Sequence, residues 1–341
     1  MEIWNPMSSP AKDPGSRPAS RLGLRCGDWV EVRSPKEVLA TLDAEGRTDA
    51  LPFMPEMQQF CGRRFKVSKR AEKACDTIHK TGARRMLDAV HLEDLRCDGD
   101  AHGGCQAGCR LFWKEAWLKR APDPQDPSRP APQAAAAAGG EIEATLRRAS
   151  RRPHDSSAPN EEVYRCQATE MFTATLPMRP GDLWQYWRDL KCGNVTVAQI
   201  LQAAFRAGAN VLLSRFDRSF YPSVAGSVRG KTPQATACLL PGEVVEVKTK
   251  EEILATLNEQ GRNRGLRFDA EMIPYCGGRH KVLRRVEQII DERTGRMRRM
   301  PADCIVLEGV TCVGHLSSRR IFCQRAIYPY WREIWLRRVE Q

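Results

Sequence analysis

Short apolar and polar alternations outnumber long periodic ones in this chain. Trp29-Val30-Glu31-Val32 and Val244-Val245-Glu246-Val247 place apolar and acidic side chains on opposite faces, as a half-buried strand requires, and each follows a turn glycine, Gly27 or Gly242. A short helix is predicted after each strand: Ser34 and Thr249 stand as N-caps, Glu37 and Glu252 as capping-box partners three residues on, and Gly46 or Gly261 as the stop. The later runs Phe65-Lys66-Val67, Ala89-Val90-His91-Leu92, Lys281-Val282-Leu283 and Cys304-Ile305-Val306-Leu307 read as further short strands. A small β-barrel with one inserted helix is the economical fold for each half. Between the halves, Asp182 to Trp187 and Val197 to Phe205 carry apolar residues at helical spacing, which predicts a helical segment packed against one or both barrels.

The halves repeat each other at an offset of about 215 residues. Ser34 to Leu42 matches Thr249 to Leu257, Phe60-Cys61-Gly62 matches Tyr275-Cys276-Gly277, and Trp113-Lys114-Glu115-Ala116-Trp117 matches Trp331-Arg332-Glu333-Ile334-Trp335. The predicted organisation is a disordered leader (1–23), a first Cys-rich barrel module (24–120), a flexible Pro- and Ala-rich linker (121–160), a helical intermodule segment (161–237) and a second barrel module (238–341).

Cysteine usage changes the picture most. The 341 residues include 13 cysteines. The sequence offers neither a signal-peptide core nor an apolar run long enough for a membrane span, which predicts a soluble, cytoplasmic protein with metal ligation or buried thiols rather than a disulfide framework. Cys97, His102, Cys105 and Cys109 stand as C-x4-H-x2-C-x3-C in a Gly-rich stretch that can wrap around an ion, with Cys61 joining from a neighbouring loop. In the second half Cys276, Cys312 and Cys323 align with Cys61, Cys97 and Cys109, His315 lies near the place of His102, and nothing is assigned opposite Cys105. These nine residues are the candidate ligands, and Cys75 or Cys166 could add to them. Zinc is the default for mixed Cys and His donors; iron, or an iron–sulfur cluster, also suits a cysteine-dominated set. The alternative is that Cys61 and Cys276 are buried core residues.

The net charge of +12 admits an anionic partner. It concentrates partly after the paired cysteines, where Arg63, Arg64, Arg279 and Arg284 are candidate anion-binding residues. The Trp-x-x-x-Trp signatures would put two indoles on one helical face, as a hydrophobic clamp or, less favoured, a stacking platform. No P-loop, nucleophile elbow, His-Glu-x-x-His helix or dinucleotide-binding glycine motif is present.

The phrases Phe60 to Phe65, Arg96 to Ala107 and Phe112 to Leu118 resemble those of a group of uncharacterised bacterial Cys-rich proteins, and the Gly-Asp-x-Val-x-Val opening is similar to that of SH3-like β-barrels. The resemblance implies a mainly β fold with some α, made of two tandem SH3-like modules, and implies no activity. The expected function is a metal-binding (zinc or iron) protein with a binding or accessory role, whose partner is another protein or a small anionic ligand and not a membrane. The alternative is a Cys/His-ligated metalloenzyme of small-molecule or peptide biosynthesis, with Cys97, Cys105 and Cys109 on the metal and Glu93 or His91 carrying protons. Nucleic-acid binding ranks third.

Overall fold

A computed structural model describes residues 21–123, 140–152 and 162–339, except positions 94, 180, 217, 218, 220, 318 and 319. The predicted leader lies almost wholly outside the described residues. The first half runs from β1 (Trp29–Val32) through α1 (Pro35–Leu39), β2 (Arg47–Thr48), β3 (Leu51–Pro52), a 3-10 turn over Pro55–Phe60 and the long β4 (Arg64–Arg70). It continues with β5 (Ala74–Cys75), β6 (Ala83–Arg85), β7 (Ala89–Leu92), β8 (Trp113–Lys114) and β9 (Leu118–Arg120). Then follow α2 (Gly140–Ala149), β10 (Leu176–Pro177), α3 (Trp184–Lys191) and α4 (Val197–Ser214). The second half has β11 (Val244–Val247), α5 (Lys250–Leu254), β12 (Arg262–Asn263), β13 (Leu266–Arg267), β14 (Arg279–Arg285), β15 (Gln288–Ile290), β16 (Met297–Arg299), β17 (Ile305–Leu307) and β18 (Leu336–Arg338).

Small antiparallel sheets with a few helices result. The first main sheet has the order β8-β7-β4-β1-β9 and the second β17-β14-β11-β18. Neither closes among the described residues, so the closed barrel that the sequence predicts is not formed. Both halves use the same registers. Val30 faces Phe65 and Arg120, while Val245 faces His280 and Arg338. The long strand of each half is bulged at one place, between Val67 and Lys69 or between Val282 and Arg284. Both capping boxes form as the sequence predicts, at Ser34/Glu37 and Thr249/Glu252.

Each half has its own core, centred on two tryptophans that are 0% exposed, Trp113 and Trp117 or Trp331 and Trp335. Phe53 meets Trp117 edge-on at 5.2 Å, and Phe268 meets Trp335 at 5.5 Å. The indoles do not share a helical face. The signature runs from β8 into a 3-10 turn at Glu115–Trp117, and its second-half counterpart turns at Glu333–Trp335. Both tryptophans are therefore core residues, with no stacking platform.

The glutamate inside the signature pins the chain entering each module. Glu115 accepts the backbone N–H groups of Leu22, Gly23 and Leu24 at 2.6, 3.0 and 3.2 Å, and Arg70 pairs with it at 2.5 Å. Glu333 does the same for Ala237, Cys238 and Leu239, and pairs with Arg285. A bulge bends a strand and re-aims its side chains, and both arginines lie just beyond the β4 and β14 bulges.

The segment between the modules departs from the sequence reading in two ways. Residues 140–149 of the predicted linker form α2, whose Leu146 is buried in the first core; the Pro-rich part, 124–139, lies outside the described residues. The apolar stripe of α4 was expected to pack, yet no residue of that helix is buried and Leu201 and Phe205 are 64% and 70% exposed. The other helix does pack: Asp189 of α3 is fully buried and pairs with the buried Lys73 at 2.8 Å.

Replacing Glu115 by Ala leaves Arg70 with Glu72 and Asp88 as its remaining partners and leaves three backbone donors without their acceptor. An unsatisfied buried donor costs about 1–3 kcal/mol, so the three together should cost about 3 kcal/mol or more. Urea denaturation followed by tryptophan fluorescence should show it, and a change under about 1 kcal/mol would contradict the role given to this carboxylate.

Candidate metal centre

The cysteine loop of the first module is closed at its base by the Cys97 N–H donating to the Cys109 carbonyl at 2.9 Å. Inside it the Gly99 carbonyl accepts from the N–H of His102 and of Gly104. Gly99 has φ +83, and a Cβ there would lie 2.0 Å from the Cys105 carbonyl oxygen, so only glycine allows the loop to fold back on itself.

Glu56, from the 3-10 turn after β3, reaches under this loop. Its Oε1 lies 2.5 Å from His102 Nδ1, accepts the Ala101 N–H at 3.2 Å and is 3.9 Å from Cys97 Sγ. Burial pushes the Glu56 carboxyl up, but the hydrogen bond and charge of His102, with the Ala101 amide, outweigh it and hold the group below its usual range. The other His102 nitrogen, Nε2, donates to the Arg165 carbonyl at 3.0 Å. Among the described residues, Glu56, Cys97 and His102 are the one group of three or more such donors whose ligand atoms all lie within 4.8 Å of one another. This group and the cysteine content are compatible with metal binding. However, both ring nitrogens of His102 are engaged, so ligation would cost one of these bonds. Glu56 and His102 act here as a clasp that ties the loop to the turn beneath it and to the segment carrying Cys166.

Cys97, Cys105, Cys109 and Cys166 line one cavity of about 400 Å³, with His102 at its wall. The opposite wall, Ile289 to Arg293 and Arg298, comes from the β15–β16 hairpin of the second module and its turn. Burial pushes the Cys109 and Cys166 thiols up to about 12, and burial followed by the Glu56 charge raises Cys97 well above its usual value. The four sulfurs share a cavity, but among the described residues no three of them lie within 4.8 Å of one another, whereas Cys97, His102, Cys105 and Cys109, with Cys61, were expected to converge on one ion.

The hairpin docks on the loop through main-chain bonds. Gln106 N–H donates to the Gln288 carbonyl at 3.0 Å, Gln106 Oε1 accepts from Glu287 and Gln288, and Cys105 Sγ accepts from Ile290 N–H at 3.3 Å. The reciprocal docking uses the same bonds. Gln324 N–H donates to the Lys73 carbonyl at 3.1 Å, Gln324 Oε1 accepts from Lys73 N–H at 2.6 Å, and Cys323 Sγ accepts from Cys75 N–H at 3.2 Å. Cys323-Gln324 is therefore the counterpart of Cys105-Gln106, and Ile327, whose carbonyl accepts from Cys312 N–H, is that of Cys109. This corrects the sequence alignment of Cys323 with Cys109: it is Cys109 that has no twin. A short insertion before Cys323 shifted the register.

No family model, curated protein or solved structure matches the chain.

The remaining candidates lie elsewhere. Cys61 is buried in the first core and Cys276 packs against the second, the core role weighed as their alternative. The His315 N–H donates to Glu271, which occupies the place of Glu56, while its ring meets Phe322 edge-on. Arg63 stacks on Phe60 and Phe65, Arg64 pairs with Glu31, Arg279 lies 3.9 Å from Glu246, and Arg284 lies over Tyr328. His91 is fully buried, with Nδ1 donating to the Leu111 carbonyl; burial lowers its pKa to about 3, which removes it as a proton carrier near neutrality. Glu56 and Glu271 were missed by the sequence reading. Their signal was an acidic residue kept in both halves of an otherwise apolar turn, Pro55-Glu56-Met57 and Ala270-Glu271-Met272.

Glu56→Gln should lower stability by about 3–5 kcal/mol at pH 7 because His102 loses its charged partner in a buried place. A carboxyl depressed in the folded state contributes stability that is present above its unfolded value and lost as pH falls through the folded one. The gap between wild type and variant should therefore narrow below the usual value of 4.5. Denaturation midpoints measured between pH 7 and pH 3 test this; a gap that stays constant would contradict it.

Proposed function

We propose that the chain is a metal-binding protein with an accessory role, whose centre is held at the seam between the modules by Cys97, Cys105, Cys109 and Cys166. The observation that carries this reading is that these four thiols, from two separate stretches of chain, line a single cavity of about 400 Å³. A lone zinc bonded at about 2.3 Å would need its sulfurs about 3.8 Å apart. The absence of any three of these sulfurs from the group that meets within 4.8 Å, among the described residues, favours a larger guest. An iron–sulfur cluster would suit that cavity: Cys97, Cys105, Cys109 and Cys166 would hold it as thiolates at wider spacing than ligands of one ion, and it would supply electron-transfer chemistry. The apolar wall supplied by Ile289 and Ile290 would shield it from water.

The proposed partner is another protein or a small anionic ligand, with nucleic acid less favoured; Arg63, Arg64 and Arg279 already engage Phe65, Glu31 and Glu246. That no described helix is long and apolar enough to cross a membrane is consistent with the cytoplasmic setting proposed. The strand order β8-β7-β4-β1-β9, with a 3-10 turn between β8 and β9, supports reading each module as an opened relative of the SH3-like barrel, used twice.

Protein purified without oxygen should contain iron and acid-labile sulfide and show a broad visible thiolate-to-iron absorption. Cys109→Ser and Cys166→Ser should each abolish most of the absorption, while Cys276→Ser should keep it. A colourless protein, either with one zinc per chain or with no metal, would overturn the cluster reading.

A further inference from the structure

The second cysteine loop places a thiol against another thiol. In the first loop Cys105 Sγ accepts the N–H of Ile290; in the second, Cys323 Sγ accepts the N–H of Cys75 at 3.2 Å, which brings the two cysteines side by side. Cys75 belongs to the first module and Cys323 to the second, so the contact crosses the seam. The neighbourhood is cationic. Arg325, 4% exposed, donates to the Cys75 carbonyl at 3.0 Å and to Thr77 at 2.9 Å, and its other nitrogen pairs with Glu292 at 2.9 Å. Arg320, whose guanidinium pairs with Asp269, also acts on Cys75. Guanidinium groups beside a thiol pair disfavour a bound cation and favour a thiolate, the form that attacks disulfides.

We propose that Cys75 and Cys323 form a redox-active dithiol whose oxidised form is a disulfide joining β5 of the first module to the cysteine loop of the second. The oxidant is a low-molecular-weight disulfide. The Cys75 thiolate attacks one of its sulfurs, forming a mixed disulfide and expelling one thiolate; Cys323 then gives up its proton and attacks the Cys75 sulfur, closing the intramolecular bond and expelling the second. Two protein thiols are oxidised and one external disulfide is reduced to two thiols. The roles follow from the surroundings: the adjacent Cys323 and the Arg325 guanidinium, which donates to the Cys75 carbonyl, pull the Cys75 thiol down, while the pairing and burial raise Cys323. Because Cys75 is 5% exposed, the first step needs the seam to open and should be slower than reaction at the exposed Cys238.

The full chain, equilibrated with mixtures of reduced and oxidised glutathione, acid-quenched, alkylated and digested, should yield a Cys75–Cys323 linked peptide that grows with the oxidised fraction. Two alkylatable thiols should be lost with it. Cys238→Ser should leave the linkage intact, and Cys323→Ser should abolish it while leaving Cys75 reduced or glutathionylated. A pair that stays reduced across the whole range in which Cys238 is glutathionylated would overturn the proposal, as would linkage of Cys75 to a different cysteine or thiols released only by a zinc chelator. The double variant Cys75→Ala/Cys323→Ala should keep whatever metal the first cavity holds, so a failure here is separable from a failure of the metal reading.

Discussion

Each module presents its cysteine loop to the other, and the same main-chain clasp holds both. Gln106 and Gln324 each answer the N–H and the carbonyl of one residue in the opposite module's hairpin, Gln288 or Lys73. Buried backbone groups must be paired, and while Cys97, His102 and Gly104 are answered within the loop, the Gln106 N–H is answered only by the Gln288 carbonyl across the seam, so that end of the loop depends on the partner module. The cavity inherits that dependence. Three of its four thiols ride on the first loop, and the wall facing them is second-module hairpin.

Buried charge fixes the geometry around the seam. Lys73 meets Asp189 of α3, Arg325 meets Glu292, Glu292 also accepts from Thr77, and His102 meets Glu56. Such pairs contribute little net stability over well-packed apolar groups, but breaking one leaves an uncompensated charge and costs several kcal/mol. These ion pairs lie within one half or between it and α3, and the polar bonds that cross between the halves here are those of Thr77 with Glu292 and of Arg325 with Cys75 and Thr77. Two thiol-rich places result, at matching positions and with different surroundings. The first has four thiols facing a wall of Ile289 and Ile290 with Asp291, Glu292, Arg293 and Arg298, and the second has a thiol pair beside Arg325 and Arg320.

What was legible in the sequence was local. Ser34 with Glu37 and Thr249 with Glu252 are separated by one helical turn, so their capping boxes could be read from spacing alone. The alternation of Trp29 to Val32 and Val244 to Val247 gave the central strands for the same reason. The roles set by distant partners were not legible. His102 looks like a ligand until Glu56 and the Arg165 carbonyl occupy both its nitrogens. Cys323 looks like the twin of Cys109 until its bond to Cys75 matches that of Cys105 to Ile290. The stripe of α4 follows the rule for a packed helix, yet it is left exposed, because periodicity reports which face is apolar and not whether anything covers it.

Four thiols at the module seam are proposed to hold a cluster and not a single ion. X-ray absorption at the metal edge of anaerobically purified full-length protein tests this directly, since it reads the neighbours of the metal itself. The expected result is iron with a shell of sulfur neighbours and a second shell of iron. A zinc edge with one shell of sulfur or mixed sulfur and nitrogen at about 2.0–2.3 Å would contradict it.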